Sequence, residues 1–420
     1  MKLSRMVIDT SPLCLSREFR IVFTARLISI FGLGFTTVAL PLQVYGLTGS
    51  TLLVAAVQAT ISMSTLLGTL VGGILADRGD RRRLIVLGRS SAVLGFGVLA
   101  LNTVLPEQPL LWVIFIVAAF NGGFGSLSAV ALQAAAPGFV PRDRLPAAGA
   151  LLALNGRLGS AFAPALGGAL IALLGMGANY TVTCLLSLVT AVLVWRLPPL
   201  NPPAAATGDT VLADLWEGAL FAVRHRVVGP LLLLGAVQML FAAPIVLIPA
   251  FNDQVLGGDA SVAGLLYTAP AVGALIGSLT SGWTSRVNRI GPPVLLAVAL
   301  CGAASAALGL AAWIPVALAV FVVLGFGEVM EEILRYSLLQ SHTPDRLRGR
   351  VNAVWTTQHT LGNSAGALTL GGVLAPLVGI TGALFVGGGL TAACVGVLAL
   401  CAPGLRTSRL RTEEPIAPAS

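Results

Sequence analysis

Four ionisable side chains stand within eight residues of an otherwise apolar run: GFGEVMEEILRYSLLQ (325–340) carries Glu328, Glu331, Glu332 and Arg335. On a helix their spacing of i, i+3, i+4 and i+7 gathers them on one face. Two chemistries fit. In the first the cluster satisfies itself, with Glu331 or Glu332 pairing with Arg335 and the site purely structural. In the second, one arginine cannot neutralise three carboxylates, so at least one acid is protonated or paired elsewhere. Crowded, desolvated carboxylates take up protons at higher pH than free ones, as a proton carrier requires. Glu328, in the middle of the run, is then the expected coupling residue. Arg26 and Arg157 also fall inside apolar runs. An ionisable group at mid-bilayer costs at least about 2.5 kcal/mol, so such groups face water or a partner. Arg26 either snorkels or lines a site; Arg157 lies deeper, in a cavity, in a buried pair or as a structural pin. Gln43, Gln133, Gln238, Tyr336, Trp355 and Gln358 would offer neutral contacts to a ligand, or simply pack.

The elements that must hold these groups follow from composition. Of 420 residues, 56% are hydrophobic and 10% charged, and the mean hydropathy is +0.91. A soluble domain carries about 25% charged residues, so the chain reads as an all-α membrane protein. Apolar runs of spanning length predict helices near 19–45, 51–77, 84–105, 109–136, 146–175, 178–196, 227–252, 260–285, 291–312, 314–341, 350–377 and 380–402. The 49 glycines suit close helix packing in lipid. The net charge of +8 does not signal nucleic acid, because the arginines sit at alternate connections. Arg78, Arg81, Arg82 and Arg83 follow span 2, and Arg346, Arg348 and Arg350 follow span 10, whereas GLTGS (46–50), LPEQP (105–109) and GMGAN (175–179) hold no Lys or Arg. The positive-inside rule then puts both termini and the central linker in the cytoplasm. No cleavable signal peptide is expected, and the five cysteines show no metal spacing.

The predicted organisation is a cytoplasmic arm (1–18), a six-helix half (19–196), a linker (197–226), a second six-helix half (227–402) and a cytoplasmic tail (403–420). Within the linker, Leu212, Leu215, Trp216, Ala219 and Val223 form one stripe, predicting an amphipathic helix on the cytoplasmic surface. The halves echo each other: Pro41 and Pro249, Gly49 and Gly257, and Arg78 and Arg286 are all 208 positions apart. Two repeated halves are the plan of transporters that rock around a midplane site.

Two motifs sharpen this. After span 2 the chain reads GGILADRGDRRRL, in which Gly73 allows helix contact, Asp77 can accept hydrogen bonds, and Arg78, Arg81 and Arg82 anchor the loop at an anionic leaflet. The string resembles the loop signature of the major facilitator superfamily, with Asp80 standing where a second glycine is usual. The resemblance implies that Asp77, Arg78, Arg81 and Arg82 hold cytoplasmic helix ends together in the outward-open state. Span 5 reads LNGRLGSAFAPALGG, and its Gly159, Pro164, Gly167 and Gly168 resemble the span-5 pattern of proton-coupled exporters in that superfamily. A generic glycine-rich packing face is the alternative.

Together with FRIVFTARLISIFGLGFTTVALPLQ and LLQSHTPDRLRGRVNAVWTTQ, these stretches resemble the bacterial enterobactin (siderophore) exporter family over roughly Phe19 to Cys401. The resemblance implies the twelve-helix major facilitator fold, two pseudo-symmetric six-helix halves, and alternating access in the bacterial inner membrane. It implies that a siderophore or another bulky natural product, a small-molecule substrate, is moved by the proton gradient; a monomer in the lipid bilayer with no cofactor or metal is expected. The acids of span 10 depart from that family's pattern. They would repel an anionic catecholate, leaving a neutral, cationic or hydroxamate substrate, or acids that serve protons alone. Multidrug efflux on the same fold and a non-transporting membrane sensor are the rival expectations. No nucleophile–base or metal constellation suggests an enzyme.

Overall fold

The computed structural model describes residues 11–198, 200 and 211–408. The first ten residues, most of the linker to 210 and the tail from 409 lie outside the described residues, as do the side chains of Asp77, Arg78, Leu212 and Leu215. Among the described residues all regular structure is helical. The long helices are α1 (Arg17–Thr48), α2 (Thr51–Arg78), α3 (Arg81–Asn102), α4 (Leu111–Ala135), α5 (Leu145–Trp195), α6 (Val211–Arg224), α7 (Val228–Phe241), α8 (Ala260–Thr280), α9 (Gly291–Leu308), α10 (Ile314–His342), α11 (Arg348–Ala367) and α12 (Ala375–Cys401).

Ten described stretches are long and apolar enough to cross a membrane, and two of them, at 51 and 57 residues, hold length for two crossings each. A straight 51-residue helix would run about 77 Å, more than twice the roughly 30 Å hydrocarbon core. Each is folded instead at one glycine. Gly175 (φ +85°, ψ 173°) breaks α5, and Gly379 (φ +75°, ψ 173°) breaks α12. Gly49 and Gly257, the echo seen in the sequence, both end their helices in the left-handed conformation, at φ +62° and +58°. That region penalises a Cβ, so glycine is the fitting residue there. These four are the positive-φ residues of the described chain, and they form two matched pairs.

Helix starts are equally local. The Ser16 hydroxyl accepts from Phe19 N at 3.0 Å, and Ser50 accepts from Leu53 N at 3.3 Å. The seventh crossing departs from a simple span. It runs 228–256, but α7 stops at Phe241, a 3₁₀ turn follows at Pro244–Leu247, and a π turn at Asn252–Leu256 ends it. Pro244 and Pro249 remove backbone donors there. Asn252 closes the end, its amide nitrogen donating to Gly258 O (2.8 Å) and Asp259 O (3.0 Å). In the eleventh crossing, where Ala367 occupies the position of Pro164, α11 runs into a π stretch at Leu368–Leu374.

Packing resolves into two compact units, residues 1–207 with 245–271, and 208–244 with 272–420. In the first, α1 packs along α5, α2 along α4, and α3 against both α4 and α5. Small residues allow the approach: a Cβ on Gly34 would collide with Ala163, and one on Gly167 would stand 2.9 Å from Phe35 Cα. In the second, α9 packs on α10 and α12, and α11 on α6 and α7. Its core joins Leu231, Leu234, Val294, Val298, Leu334 and Leu338. The α6 helix docks by Gly218 and Ala222 against α11, leaving Trp216 and Val223 of its apolar stripe 73% and 81% exposed. Outward-facing leucines such as Leu173, Leu310 and Leu400 have the same explanation: lipid is the solvent, and an apolar exterior costs nothing there.

Candidate functional site

The charged face of α10 lies in the second unit. Glu331 and Arg335, one helical turn apart, are 2% and 0% exposed and form an ion pair, which selects Glu331 over Glu332 as the arginine's partner. Glu328 is half-buried and Glu332 exposed, and neither makes a hydrogen bond or ion pair among the described residues. Arg335 is enclosed from other helices as well. Its guanidinium carbon lies 3.9 Å from the centre of the Trp355 ring, a cation–π contact. Its Nη1 approaches Gln358 Oε1 at 3.5 Å, while Gln358 Nε2 donates to Leu232 O at 2.5 Å. Gly235 of α7 leaves the space that the guanidinium fills, since a Cβ there would occupy its position. Tyr336 meets Trp355 edge-on at 5.8 Å, and the His359 ring lies tilted 5.5 Å from that indole.

Three of the six neutral candidates, Tyr336, Trp355 and Gln358, therefore surround Arg335. Gln238, on α7, donates to the Cys301 sulfur at 3.9 Å. Gln43 is buried in the first unit and accepts from the Tyr180 hydroxyl at 2.6 Å. Gln133 lines a cavity of about 570 Å³ inside the first unit, bounded by α1, α2, α3 and α4. Arg26 lines the same cavity. So does Arg89, a residue that the sequence reading did not single out. Its signal was there: GRSSAV places an arginine inside a predicted span. Arg89 Nε donates to Ser128 Oγ at 3.2 Å. Arg26 makes no hydrogen bond or ion pair among the described residues. Arg157 is exposed on α5 and is likewise unpaired.

The loop after α2 works through carbonyls. Arg81 donates from Nε to Ala76 O (3.0 Å) and from Nη1 to Ala134 O (2.9 Å), tying the C-terminal ends of α2 and α4. Arg82 reaches Trp195 O at 2.5 Å, the end of α5. Cations belong at these helix ends, where carbonyls lack intrahelical partners. Asp80, the departure from the usual motif, caps α3 by accepting from Arg82 N (3.0 Å) and also holds Leu200 N (2.9 Å). Close approach of α2 falls at Gly72, whose Cβ would stand 2.9 Å from Leu127 Cα, whereas the Cβ position of Gly73 is open. One residue turns a helix face by about 100°, enough to explain the difference. In the second unit Glu217 of α6 supplies the acid, pairing with Arg350 and, at 3.7 Å, with Arg346.

In α5, Gly159 packs against Ile30 and Gly168 against Gly264 of α8, with Pro164 O also against Gly264. These glycines are close-contact positions, and Pro164 is buried between them in the part of α5 that precedes the break at Gly175.

Residues 22–367 match the family model of the Major Facilitator Superfamily. The enterobactin exporter EntS of Shigella boydii serotype 4 (strain Sb227) is 37% identical over 388 residues, covering 91% of each chain. EntS of Escherichia coli O1:K1 / APEC is 38% identical over 385 residues, again 91% of each. Among solved structures, the nucleoside transporter NupG superposes with a TM-score of 0.73 at 12% identity, covering 93% of this chain and 100% of that one. A POT family transporter in complex with 5-aminolevulinic acid gives 0.71 at 14% identity, covering 93% and 97%.

Proposed function

The chain belongs to the major facilitator superfamily, and from that premise we propose that it exports a siderophore or related bulky natural product across the bacterial cytoplasmic membrane. Transport runs by alternating access, driven by the proton gradient, with the halves 19–196 and 227–402 as moving parts and both termini in the cytoplasm. One observation carries the reading: the likeness to enterobactin exporters extends over 91% of both chains rather than one motif. Coupling is supported by the α10 face. Arg335 balances Glu331, which leaves Glu328 and Glu332 without an ion-pair partner among the described residues. A carboxyl inside a span with no fixed counter-charge can take a proton on one side and release it on the other.

The test uses everted membrane vesicles containing the full chain, with enterobactin as substrate. Uptake that collapses when the pH gradient is dissipated, and proton release from the lumen on adding substrate, are expected. Absence of both removes the reading. Glu328→Gln should abolish the pH dependence of uptake; if the dependence survives, the proton role passes to Glu332. The surplus acid on α10 favours a second reading, efflux of cationic drugs. Competition by a lipophilic cation such as tetraphenylphosphonium, with no effect of enterobactin, would establish it instead.

A further inference from the structure

The cavity inside the first unit is charged in the opposite sense to the α10 face. Its volume of about 570 Å³ is within the roughly 300–1,000 Å³ range of drug-sized sites. Arg26 of α1 and Arg89 of α3 both line it, and no Asp or Glu does so among the described residues. Arg89 spends only Nε on the protein, leaving its two terminal nitrogens without a protein partner. Arg26 has no partner at all among the described residues. Asn121 adds a polar wall, its amide oxygen and nitrogen both unpartnered. Five Ser and Thr residues and Gln133 also line it, and Leu40, Phe96, Val117 and Ala118 form part of its apolar wall. The arginines sit about 12–14 Å along their helices from the ends joined to the basic connections. Phe96, Val117 and Leu40 lie farther from those ends. A cavity with cations toward one end and the larger apolar side chains toward the other suits an amphiphilic anion.

Arg26 has no contact among the described residues that would explain keeping a cation there, and a single bond to the neutral Ser128 hydroxyl does not require the charge of Arg89. Unpaired guanidiniums inside a span are costly, and the fork of an arginine matches a carboxylate, hydroxamate or catecholate with two parallel hydrogen bonds. We propose that Arg26 and Arg89 form an anion subsite in the α1–α4 cavity, which takes the acidic group of the transported molecule while the apolar wall holds its body. This rests on the transport reading above and gives it a substrate class, an amphiphilic anion. It also removes the objection that the acids of α10 raise against such a substrate, since the anion is held by a different set of helices.

The test is binding, without transport, to the full chain in lipid nanodiscs. The probes are salicylate and its neutral counterpart salicylamide, read by isothermal titration. Wild type should bind salicylate at least about ten-fold more tightly, as expected for a charge-assisted fork. Arg26→Gln and Arg89→Gln should each bring that ratio to within about two-fold, Arg89→Lys should keep part of it, and the exposed Arg289→Gln should leave it intact. Equal binding of the two probes by wild type, or a ratio that survives in both glutamine variants, overturns the subsite. The two probes compared on wild type decide the matter even if one variant fails to fold. If the ratio is absent while vesicles still export enterobactin, the subsite falls and the function stands. If the ratio holds while enterobactin does not move, the function falls and the subsite stands.

Discussion

Arg335 and Arg26 are the same side chain in two opposite circumstances. Arg335 is fully buried and meets an acid, an indole face and an amide, while Gly235 makes room for it. Arg26 borders a cavity and has no hydrogen-bond or ion-pair partner among the described residues. The difference separates a cation that the fold has consumed from one it has left available. A buried charge whose directions are already filled is part of the fabric, and its removal is felt in stability. A charge facing a cavity adds little to stability and is free to meet a ligand.

The largest expected effect would come from Glu331→Gln, which leaves Arg335 buried without its counter-charge. Breaking such a pair costs about 3–5 kcal/mol, read as a fall in unfolding midpoint in detergent. The double substitution Glu331→Leu with Arg335→Met should recover most of that loss, because a packed apolar pair replaces a buried ionic one. A single variant as stable as wild type would show that the enclosure is open. Next comes Gly235→Ala, whose methyl would displace the guanidinium, costing about 1–3 kcal/mol by overpacking. Asp80→Ala should cost about 1 kcal/mol as a lost helix cap, with the contact to Leu200 released. Arg26→Gln has no partner to lose and should stay within about 0.5 kcal/mol of wild type; a larger loss would erase the contrast with Arg335.

The smallest effect belongs to a place where a cation is refused. His225, between α6 and α7, accepts from Val227 N and Val228 N through Nδ1, both at 3.2 Å. Burial, and then the neighbouring His342, hold its imidazole below the ordinary 6.5. The folded chain thus binds this proton more weakly than the unfolded one. The stability it contributes is present above the unfolded value and is lost as pH falls through the folded one. Unfolding midpoints should decline modestly over that interval and decline less in His225→Asn, which cannot be charged.

Much of the architecture was legible in the sequence because lipid imposes it. Apolar runs of fixed length, arginines at alternate connections and turn glycines at matched positions are all local signals. The pairing within α10 was equally local, since i and i+4 adjoin on any helix. What surrounds Arg335 was not, because Gly235 and Trp355 lie on other helices, 100 and 20 residues away in sequence, and no periodicity links them. Arg89 was hidden for a related reason. Its run begins with Arg81, Arg82 and Arg83, so one more arginine reads as the tail of a basic loop until the helix is seen to carry it to a cavity. The α6 stripe was readable, but not that Gly218 and Ala222, on its flank, would be the docking face.

The four left-handed glycines also have a genetic consequence. At Gly49, Gly175, Gly257 and Gly379 a Cβ would meet no neighbouring atom within 4 Å, yet the backbone lies where L side chains are rarely found. Tolerance there is set by the dihedral angle alone, so no compensating change in a neighbouring side chain can rescue a missense codon. Because each half holds one glycine of each pair, the repeat doubles the number of codons that cannot drift, and a saturation scan should find the same pair of intolerant positions in each half.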